Sequence, residues 1–393
     1  MDWLKNRSIA IVGSAQLPSV RRSGKTALEL GAEVTARLLK RTGLQRSDIN
    51  GLATTLANAE ASNAFWTSVI CETLGLSVRW AQATDIGGCS VTGNVARAAA
   101  AIHSGMADVV LCLAADAPLT KFTTVQSGYR QEFYDPFGYG LPVAFGLLTS
   151  AYAAKYGHVP ERGMAKLAVA QRNGALLNDY ACDLLRKPLT EQEYLDSRMI
   201  ADPLRLLDCV MRCDGGNAFL VMSTEHARAM GFKRFVHPIG YRERLNFDAR
   251  QEIEDITVTG FSEVGPAALK AAGLKPSQVQ SFHPYDDFFI ALILQLEQIG
   301  FCGPGEAEAF LRRTDVGING DLPINTGGGQ ISAGQPGLAG GGVNLAEAVA
   351  QLLGEAGPRQ LRHADNALVT GIGVIQYARN WGCSSALVLE AGA

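Results

Sequence analysis

The sequence contains little of what a metal site or a nucleic-acid interface requires. Its eight cysteines include no CxxC pair, and no second pair or histidine cluster completes the closest spacing, Cys209 to Cys213. No metal site is therefore predicted. The net charge is −3 and no basic stripe runs along the chain, which argues against a nucleic-acid partner. The small basic group Arg21, Arg22 and Lys25 is interpreted as a solvated loop or, at most, a phosphate contact.

The chain also lacks a signal-peptide core and any long apolar run. Its first residues, Met-Asp-Trp-Leu-Lys-Asn-Arg, do not resemble a secretory leader, and no apolar run is long enough to cross a membrane. Free cysteines at this frequency indicate a reducing compartment. We therefore expect a cytoplasmic protein with no membrane partner.

What the sequence does contain is enough apolar material for a large core. Hydrophobic residues make up 47% of the 393 positions, charged residues only 19%, and 43 glycines stand against 15 prolines. This composition is typical of an α/β enzyme with many tight turns, and the length indicates two domains or two fused halves.

Short apolar strands alternate with helical segments along the chain. Residues 8–12 and 109–114 have the composition of buried strands, and residues 27–39 have the spacing of a helix. Such alternation predicts a mostly parallel sheet that is covered on both faces.

An internal repeat divides the chain. Residues 37–51 are echoed by residues 268–281, each with a helix, a Gly-Leu stop and a short turn before a strand. Gly327-Gly328-Gly329, the helix at 342–353 and the strand at 367–371 mirror the segment that runs from Gly87 to residue 114. We predict an N-terminal half over residues 1–232 and a C-terminal half over residues 233–393.

An insertion over residues about 119–197 interrupts the first half. Its first part is rich in glycine and aromatic residues, which suits a flexible lid, an interface or an ordinary packed loop. Four of its aromatic side chains are candidates for a substrate pocket: Phe133, Tyr134, Phe137 and Tyr139.

The run Gly87-Gly88-Cys89 places a cysteine on a glycine-rich turn that opens an alanine-rich helix. The N–H groups and the dipole at a helix N-terminus favour a thiolate, so Cys89 is a candidate nucleophile with a lowered pKa. The alternative is a structural cysteine that packs as a small apolar residue.

This turn, inside a duplicated α/β chain of this size, resembles the thiolase superfamily. The resemblance covers nearly the whole chain and is closest to the sterol-carrier-protein-type branch without a lipid-transfer domain. The runs at residues 197–209 and 213–218 are typical of that branch. The resemblance implies two duplicated βαβαβαββ halves in a five-layer αβαβα arrangement.

The resemblance also assigns site residues. The nucleophilic cysteine of the family matches Cys89. The first family histidine falls on Tyr285 in Tyr-Asp-Asp-Phe, and the second falls on Gln335 in the motif that begins at Asn325. Candidates for the C-terminal catalytic loop, with the oxyanion-binding and second-cysteine roles, are Gly373, Gly382 and Cys383.

The two substitutions remove the groups that would activate the cysteine. Gln335 can hydrogen-bond to an oxyanion but has no pKa suited to proton transfer. Tyr285 has an ordinary pKa near 10 and is better suited to donate to an oxyanion or to pair with a substrate hydroxyl or carbonyl. His283 is a possible replacement base if the segment is extended; the alternative is a surface histidine at a strand end.

The main functional hypothesis is a thiolase-type acyltransferase that makes or cleaves a carbon–carbon bond of a β-ketoacyl-CoA through acyl-Cys89. The alternative is a retro-aldol lyase that cleaves a β-hydroxyacyl-CoA, of the steroid side-chain type, using Tyr285. A third hypothesis is a subunit that is active only with a partner.

These hypotheses share one set of ligands and partners. Coenzyme A is expected as a substrate, with no permanently bound cofactor. The resemblance implies a homodimer core in a hetero-oligomer with a small zinc-ribbon/OB-fold subunit.

Overall fold

The structure, a computed structural model, describes residues 2–60, 63–120, 140–248, 254–375 and 381–393. The predicted turn and helix at the first glycine-rich run form as a 3₁₀ turn, Gly87–Cys89, followed by a helix. The strands are β1 Ile9–Gln16, β2 Gly51–Thr55, β3 Trp80–Thr84, β4 Val109–Asp116, β5 Met199–Ala201, β6 Leu204–Arg205, β7 Gly215–Ser223, β8 Phe235–Leu245, β9 Phe282–His283, β10 Asn366–Ile375 and β11 Trp381–Gly392. The helices are α1 Ala27–Thr42, α2 Trp66–Leu74, α3 Ser90–His103, α4 Leu141–Tyr156, α5 Glu161–Leu176, α6 Glu191–Leu195, α7 Thr224–Ala229, α8 Phe261–Ala272, α9 Phe289–Ile299, α10 Ala307–Arg313, α11 Gly329–Ala333 and α12 Gly341–Leu353.

Nine strands form one sheet in the order β3-β2-β4-β7-β1-β8-β11-β10-β9. The order is mirrored about the β1–β8 contact, because β1, β7, β4 and β2 occupy the same positions on one side as β8, β11, β10 and β9 on the other. The two sides of the sheet are joined where β1 pairs with β8, at Ile11 and Val236. This mirrored order is the duplication that the sequence repeat predicts.

The expectation of a mostly parallel sheet is wrong. Among the described strands of this sheet, parallel pairing is confined to β2–β3, β2–β4 and β9–β10, and the remaining neighbours are antiparallel. The reason is that β7 runs back beside β4 and β11 runs back beside β10, whereas the sequence shows only that helices and strands alternate.

Helices α3 and α12 form the middle layer of the molecule. Their apolar residues, such as Val95 and Val349, share one core with strand residues of both halves, including Val110 and Leu387. Helices α1 and α2 cover the outer face of the first half, and α8 and α9 cover the outer face of the second. The result is the five-layer αβαβα arrangement of a thiolase fold.

The two predicted halves would meet at residues 232 and 233, which lie between α7 and β8. That boundary stays a prediction.

The described part of the predicted insertion contains α4, α5 and α6. No helix in the described ranges is long and apolar enough to span a membrane.

Candidate active site

Cys89 lies at the point where the glycine turn becomes α3. Gly87 has a φ of 59°, in the left-handed region that glycine tolerates, and the Ser90 hydroxyl accepts the Ile86 N–H at 3.1 Å. The Cys89 side chain is fully buried. Its α-carbon lies close to Gly371 of β10, where an added Cβ would be 2.7 Å away. Glycine at position 371 is therefore what allows β10 to approach the turn.

The buried position of Cys89 reverses the predicted shift of its pKa. Burial raises the pKa of the thiol well above its ordinary value, and the neighbouring Cys383 thiol raises it further, while Ser385 acts in the opposite direction. The expectation of a thiolate stabilised by the helix N-terminus is wrong because the cost of desolvating the anion is larger than the gain from the dipole. Cys89 therefore holds its proton at neutral pH.

Cys383 and Gly373 lie beside the Cys89 turn, and Gly382 precedes Cys383 on β11. Cys383 packs with Cys89 and Ile86 in a small apolar cluster. Gly373 is opposite Cys383 in the β10–β11 pair, and a Cβ at Gly373 would be 2.1 Å from the Ile86 carbonyl oxygen. The Gly382 carbonyl accepts the Asn246 N–H at 2.7 Å.

Tyr285 packs its ring directly against the glycine turn. A Cβ at Gly88 would lie 2.2 Å from Cε2 of the ring, so only glycine fits there. The Tyr285 N–H donates to the Thr370 hydroxyl at 2.8 Å, and its carbonyl accepts from the Gln295 amide at 2.8 Å. The Thr370 hydroxyl in turn donates to Gln295. Tyr285 is 5% exposed, so these contacts hold a nearly buried phenol in one place.

The Tyr285 phenol keeps its proton. Burial raises its pKa well above the ordinary value, and the neighbouring Asp287 and Cys89 groups raise it further. The Gln335 amide donates to the phenolic oxygen at 3.3 Å and lowers the pKa slightly. Tyr285 is therefore a neutral hydrogen-bond donor rather than a resident phenolate.

Gln335 is held from the side by the segment that precedes β7. Its N–H donates to the Met211 carbonyl at 3.0 Å, its carbonyl accepts from Cys213 at 2.8 Å, and it forms an isolated parallel bridge with Arg212. The Gln335 amide thus reaches Tyr285 from a fixed backbone. The structure brings the buried Cys89 and Tyr285 and the half-buried Gln335 close together. Their assignment as catalytic residues stays a prediction.

Asn325 lies behind Tyr285. Its backbone has a φ of 48°, and its amide donates to the Pro284 carbonyl at 3.1 Å. Asn344 of α12 donates to the same carbonyl at 2.5 Å. Asn325 therefore positions the segment that leads into Tyr285.

His283 is buried, so its interpretation as a surface residue is wrong. It pairs with Val369 in the β9–β10 ladder, its Nε2 lies 3.2 Å from the Ser281 hydroxyl, and its charged neighbour is Glu347. Burial lowers its pKa to about 4. The described contacts of His283 do not include Cys89 or Tyr285.

Four predicted pocket residues, Phe133, Tyr134, Phe137 and Tyr139, lie outside the described residues.

Two site carboxylates were missed by sequence reasoning although they stand inside the Tyr-Asp-Asp-Phe motif. Asp286 accepts the N–H groups of Gln330 at 2.9 Å and Ile331 at 3.4 Å, and burial raises its pKa to about 7. Asp287 is the second of these carboxylates. The sequence carried a signal for both, since two adjacent acids in an otherwise apolar segment are rarely buried without a role.

Comparisons with known proteins identify relatives of this chain. The family of thiolase C-terminal domain-like sequences matches residues 245–381. A steroid side-chain-cleaving aldolase of Thermomonospora curvata is 31% identical over 345 residues, covering 82% of this chain and 85% of its own. A 17-hydroxy-3-oxo-4-pregnene-20-carboxyl-CoA lyase of Mycobacterium tuberculosis is 31% identical over 390 residues, covering 93% and 96%. The solved Ltp2-ChsH2(DUF35) aldolase matches with a TM-score of 0.82 and 29% identity over 98% of each chain.

The mirrored five-layer fold, with a buried thiol and phenol beside a half-buried amide, is that of a thiolase-like protein. The chain belongs to the thiolase superfamily, in its sterol-carrier-protein-type thiolase-like branch. The two relatives described above are enzymes named for aldolase or lyase activity. The aldol alternative therefore has better support than acyl transfer at Cys89.

Proposed function

We propose that this protein is a retro-aldol lyase that cleaves the bond between the α- and β-carbons of a β-hydroxyacyl-CoA, of the steroid side-chain type. The observation that carries the proposal is the pair formed by the buried Tyr285 phenol and the Gln335 amide beside a protonated Cys89. Such a site has no activated nucleophile, but it has a fixed hydrogen-bond donor. A retro-aldol cleavage needs no nucleophile.

Tyr285 supplies what the carbon–carbon cleavage requires on the thioester side. As the bond breaks, the α-carbon takes the electron pair and the thioester oxygen becomes an enolate oxyanion. The neutral phenol donates to that oxygen in a site where little water competes. Gln335 already donates to the phenolic oxygen, so the phenolic proton points away from Gln335 and is available to the substrate.

Acyl transfer is the second candidate, and one observation favours it. Cys89 and Cys383 lie side by side, as expected if one thiol carries the acyl group and the other moves a proton. The raised pKa of Cys89 weakens this candidate because the thiolate is the nucleophile.

Cys89→Ala separates the two candidates. We expect the variant to keep its rate of cleavage of 17-hydroxy-3-oxo-4-pregnene-20-carboxyl-CoA, because the proposed reaction makes no bond to sulfur. Release of the ketone and the shortened acyl-CoA would be followed by liquid chromatography. Cys112→Ala is the matched control, because Cys112 is also a buried cysteine but lies in β4, and the variant shows the effect of lost packing alone.

Loss of cleavage in Cys89→Ala alone, with an acyl group found on Cys89 of the unmodified protein by mass spectrometry, would establish acyl transfer instead. Thiolysis of a β-ketoacyl-CoA by the unmodified protein would point the same way.

A partner subunit is part of the proposal. The solved aldolase that this chain matches over 98% of both lengths is a complex of Ltp2 with ChsH2(DUF35). We therefore propose a homodimer core that associates with a small zinc-ribbon/OB-fold protein, with coenzyme A bound as part of the substrate. The edge strand β3 is available for pairing with a second copy.

Co-expression with a DUF35 protein is expected to yield a complex that cleaves the CoA substrate faster than the isolated chain. Size-exclusion chromatography and turnover measurements check this. Full activity of the isolated chain, unchanged when the small protein is added, would show that no partner is needed.

A further inference from the structure

The proposed cleavage needs a group that takes the proton of the substrate hydroxyl. Cys89 and Tyr285 both hold their own protons, and Gln335 has no pKa for this role. The His283 ring packs toward Ser281 and Glu347. The predicted site residues Cys89, Tyr285, Gln335 and His283 therefore do not supply the base.

The segment from Cys209 to Arg212 shows which side chains share the site with Gln335. Cys209 forms an antiparallel bridge with Phe288, and the Val210 N–H donates to the Asp287 carbonyl at 3.1 Å. Phe288 points into the core, where its ring stacks on the Phe145 ring with the two centroids 3.8 Å apart. Because adjacent residues of an extended segment point to opposite sides, Asp287 lies on the other side from Phe288.

The same alternation places Gln335 on the side of Asp287. Val210 and Arg212 are two residues apart and so share one face of the segment. Gln335 is the bridge partner of Arg212, and bridged residues project to the same side. Asp287 and Gln335 therefore flank one face, and the Gln335 amide reaches the Tyr285 phenol there. Asp287 is near enough to Tyr285 that its charge is the largest influence on the phenol after burial.

The carboxylate of Asp287 has an unused oxygen. Its Oδ1 is buried and has no hydrogen-bond partner among the described residues. Asp286 beside it differs, because both of its oxygens accept backbone N–H groups. A buried carboxylate oxygen without a partner is costly, and a substrate hydroxyl would satisfy it.

We propose that Asp287 is the proton acceptor of the lyase reaction, an inference that rests on the proposed function. Its Oδ1 takes the proton of the β-hydroxyl, and the electron pair of that O–H bond forms the ketone as the bond between the α- and β-carbons breaks. The α-carbon keeps the bond pair as an enolate, to which Tyr285 donates. The protonated Asp287 then returns the proton to the α-carbon, which gives the shortened acyl-CoA and restores the site.

The electrostatic surroundings suit this role. The titratable groups near Asp287 are Tyr285 and Asp286 on its own segment, and Cys209 on the neighbouring one. Burial, with the neighbouring Asp286 charge next, raises the pKa of Asp287 to about 7. Since a base must be deprotonated, the rate should rise with pH through about 7 and then level off.

Asp287→Asn tests the inference, because the amide keeps the shape and cannot take the proton. We expect kcat/KM for 17-hydroxy-3-oxo-4-pregnene-20-carboxyl-CoA to fall about 100-fold at pH 8 and the rise through pH 7 to disappear. Asp287→Glu should restore part of the rate together with the rise. Because Asp287 also precedes α9, Asp287→Ser is a second variant that keeps an acceptor at the helix end. Melting temperatures would confirm that the variants fold.

The controls are His283→Gln, which should keep the rise through pH 7, and Asp286→Asn, which should keep the rise but move it to lower pH because the Asp286 charge that raises the pKa of Asp287 is removed. If Asp287→Asn cleaves the substrate at the unmodified rate with the same pH profile, Asp287 is not the base. If the rise disappears in either control but not in Asp287→Asn, the base is that residue. If the unmodified protein, with a DUF35 partner, does not cleave the substrate at all, the proposed function itself is wrong and this inference with it.

Discussion

Replacing Tyr285 by Phe is expected to lower the turnover of a β-hydroxyacyl-CoA by about 10²- to 10³-fold, the usual effect of removing one oxyanion donor. The ring remains, so its contact with Gly88 and the backbone hydrogen bonds to Thr370 and Gln295 are unchanged. Only the O–H that meets the developing enolate is lost. Because that contact forms mainly in the transition state, kcat and kcat/KM should fall together, as measured by steady-state kinetics.

Tyr156→Phe is the matched control for this loss. Tyr156 ends α4, where its ring packs against Tyr152, and loss of its hydroxyl should leave turnover unchanged. An equal fall in both variants, or a rise in KM with unchanged kcat for Tyr285→Phe, would contradict the proposed role. Tyr285→Phe should also keep the dependence of rate on pH near 7, since Asp287 remains.

Replacing Glu347 by Ala is expected to reduce the free energy of unfolding by about 3–5 kcal/mol, the largest stability effect we expect in the chain. Glu347 accepts from the Arg359 guanidinium at 2.9 Å and from the Thr326 hydroxyl at 2.8 Å. The two charged side chains are only 7% and 8% exposed. Removal of the carboxylate therefore leaves the Arg359 charge buried without its counter-ion. Chemical denaturation followed by circular dichroism measures the effect.

Glu33→Ala is the control for this prediction, because Glu33 pairs with Lys25 and Arg37 on the exposed face of α1. Its loss should cost at most about 1 kcal/mol. A double variant with Leu at positions 347 and 359 should recover much of the stability, because it removes both buried charges. A cost for Glu347→Ala no larger than that for Glu33→Ala would show that water reaches Arg359.

The Glu347 contacts also bear on the site. Thr326 follows Asn325, whose amide holds the Pro284 carbonyl in place just before Tyr285. The buried ion pair thus fixes one end of the segment that carries Gln335. This arrangement joins stability to the position of the candidate active site.

Sequence patterns predicted the parts of the fold that depend on local or repeated features. The glycine turn at Cys89 and the helix after it form as expected, because φ above zero at Gly87 and close contact at Gly88 both require glycine. The internal repeat correctly indicated duplicated halves. Strand pairing was not predictable, since it depends on which distant segments lie side by side, and the parallel expectation was wrong for that reason.

The candidate site likewise has some features that the sequence indicates and others that only the folded chain shows. The sequence by itself determined that Cys89 has lost both family histidines, with Tyr285 and Gln335 in their places. Tertiary structure alone decided that the pKa of Cys89 is raised rather than lowered, because burial against β10 and β11 outweighs the local helix dipole. It also decided that Asp287 shares a face with Gln335, because the segment at Cys209 to Arg212 bridges two stretches that are far apart in the chain. A pKa depends on all the groups that surround a residue in space, and a shared face depends on which segments pair. Both become known only when the chain is folded.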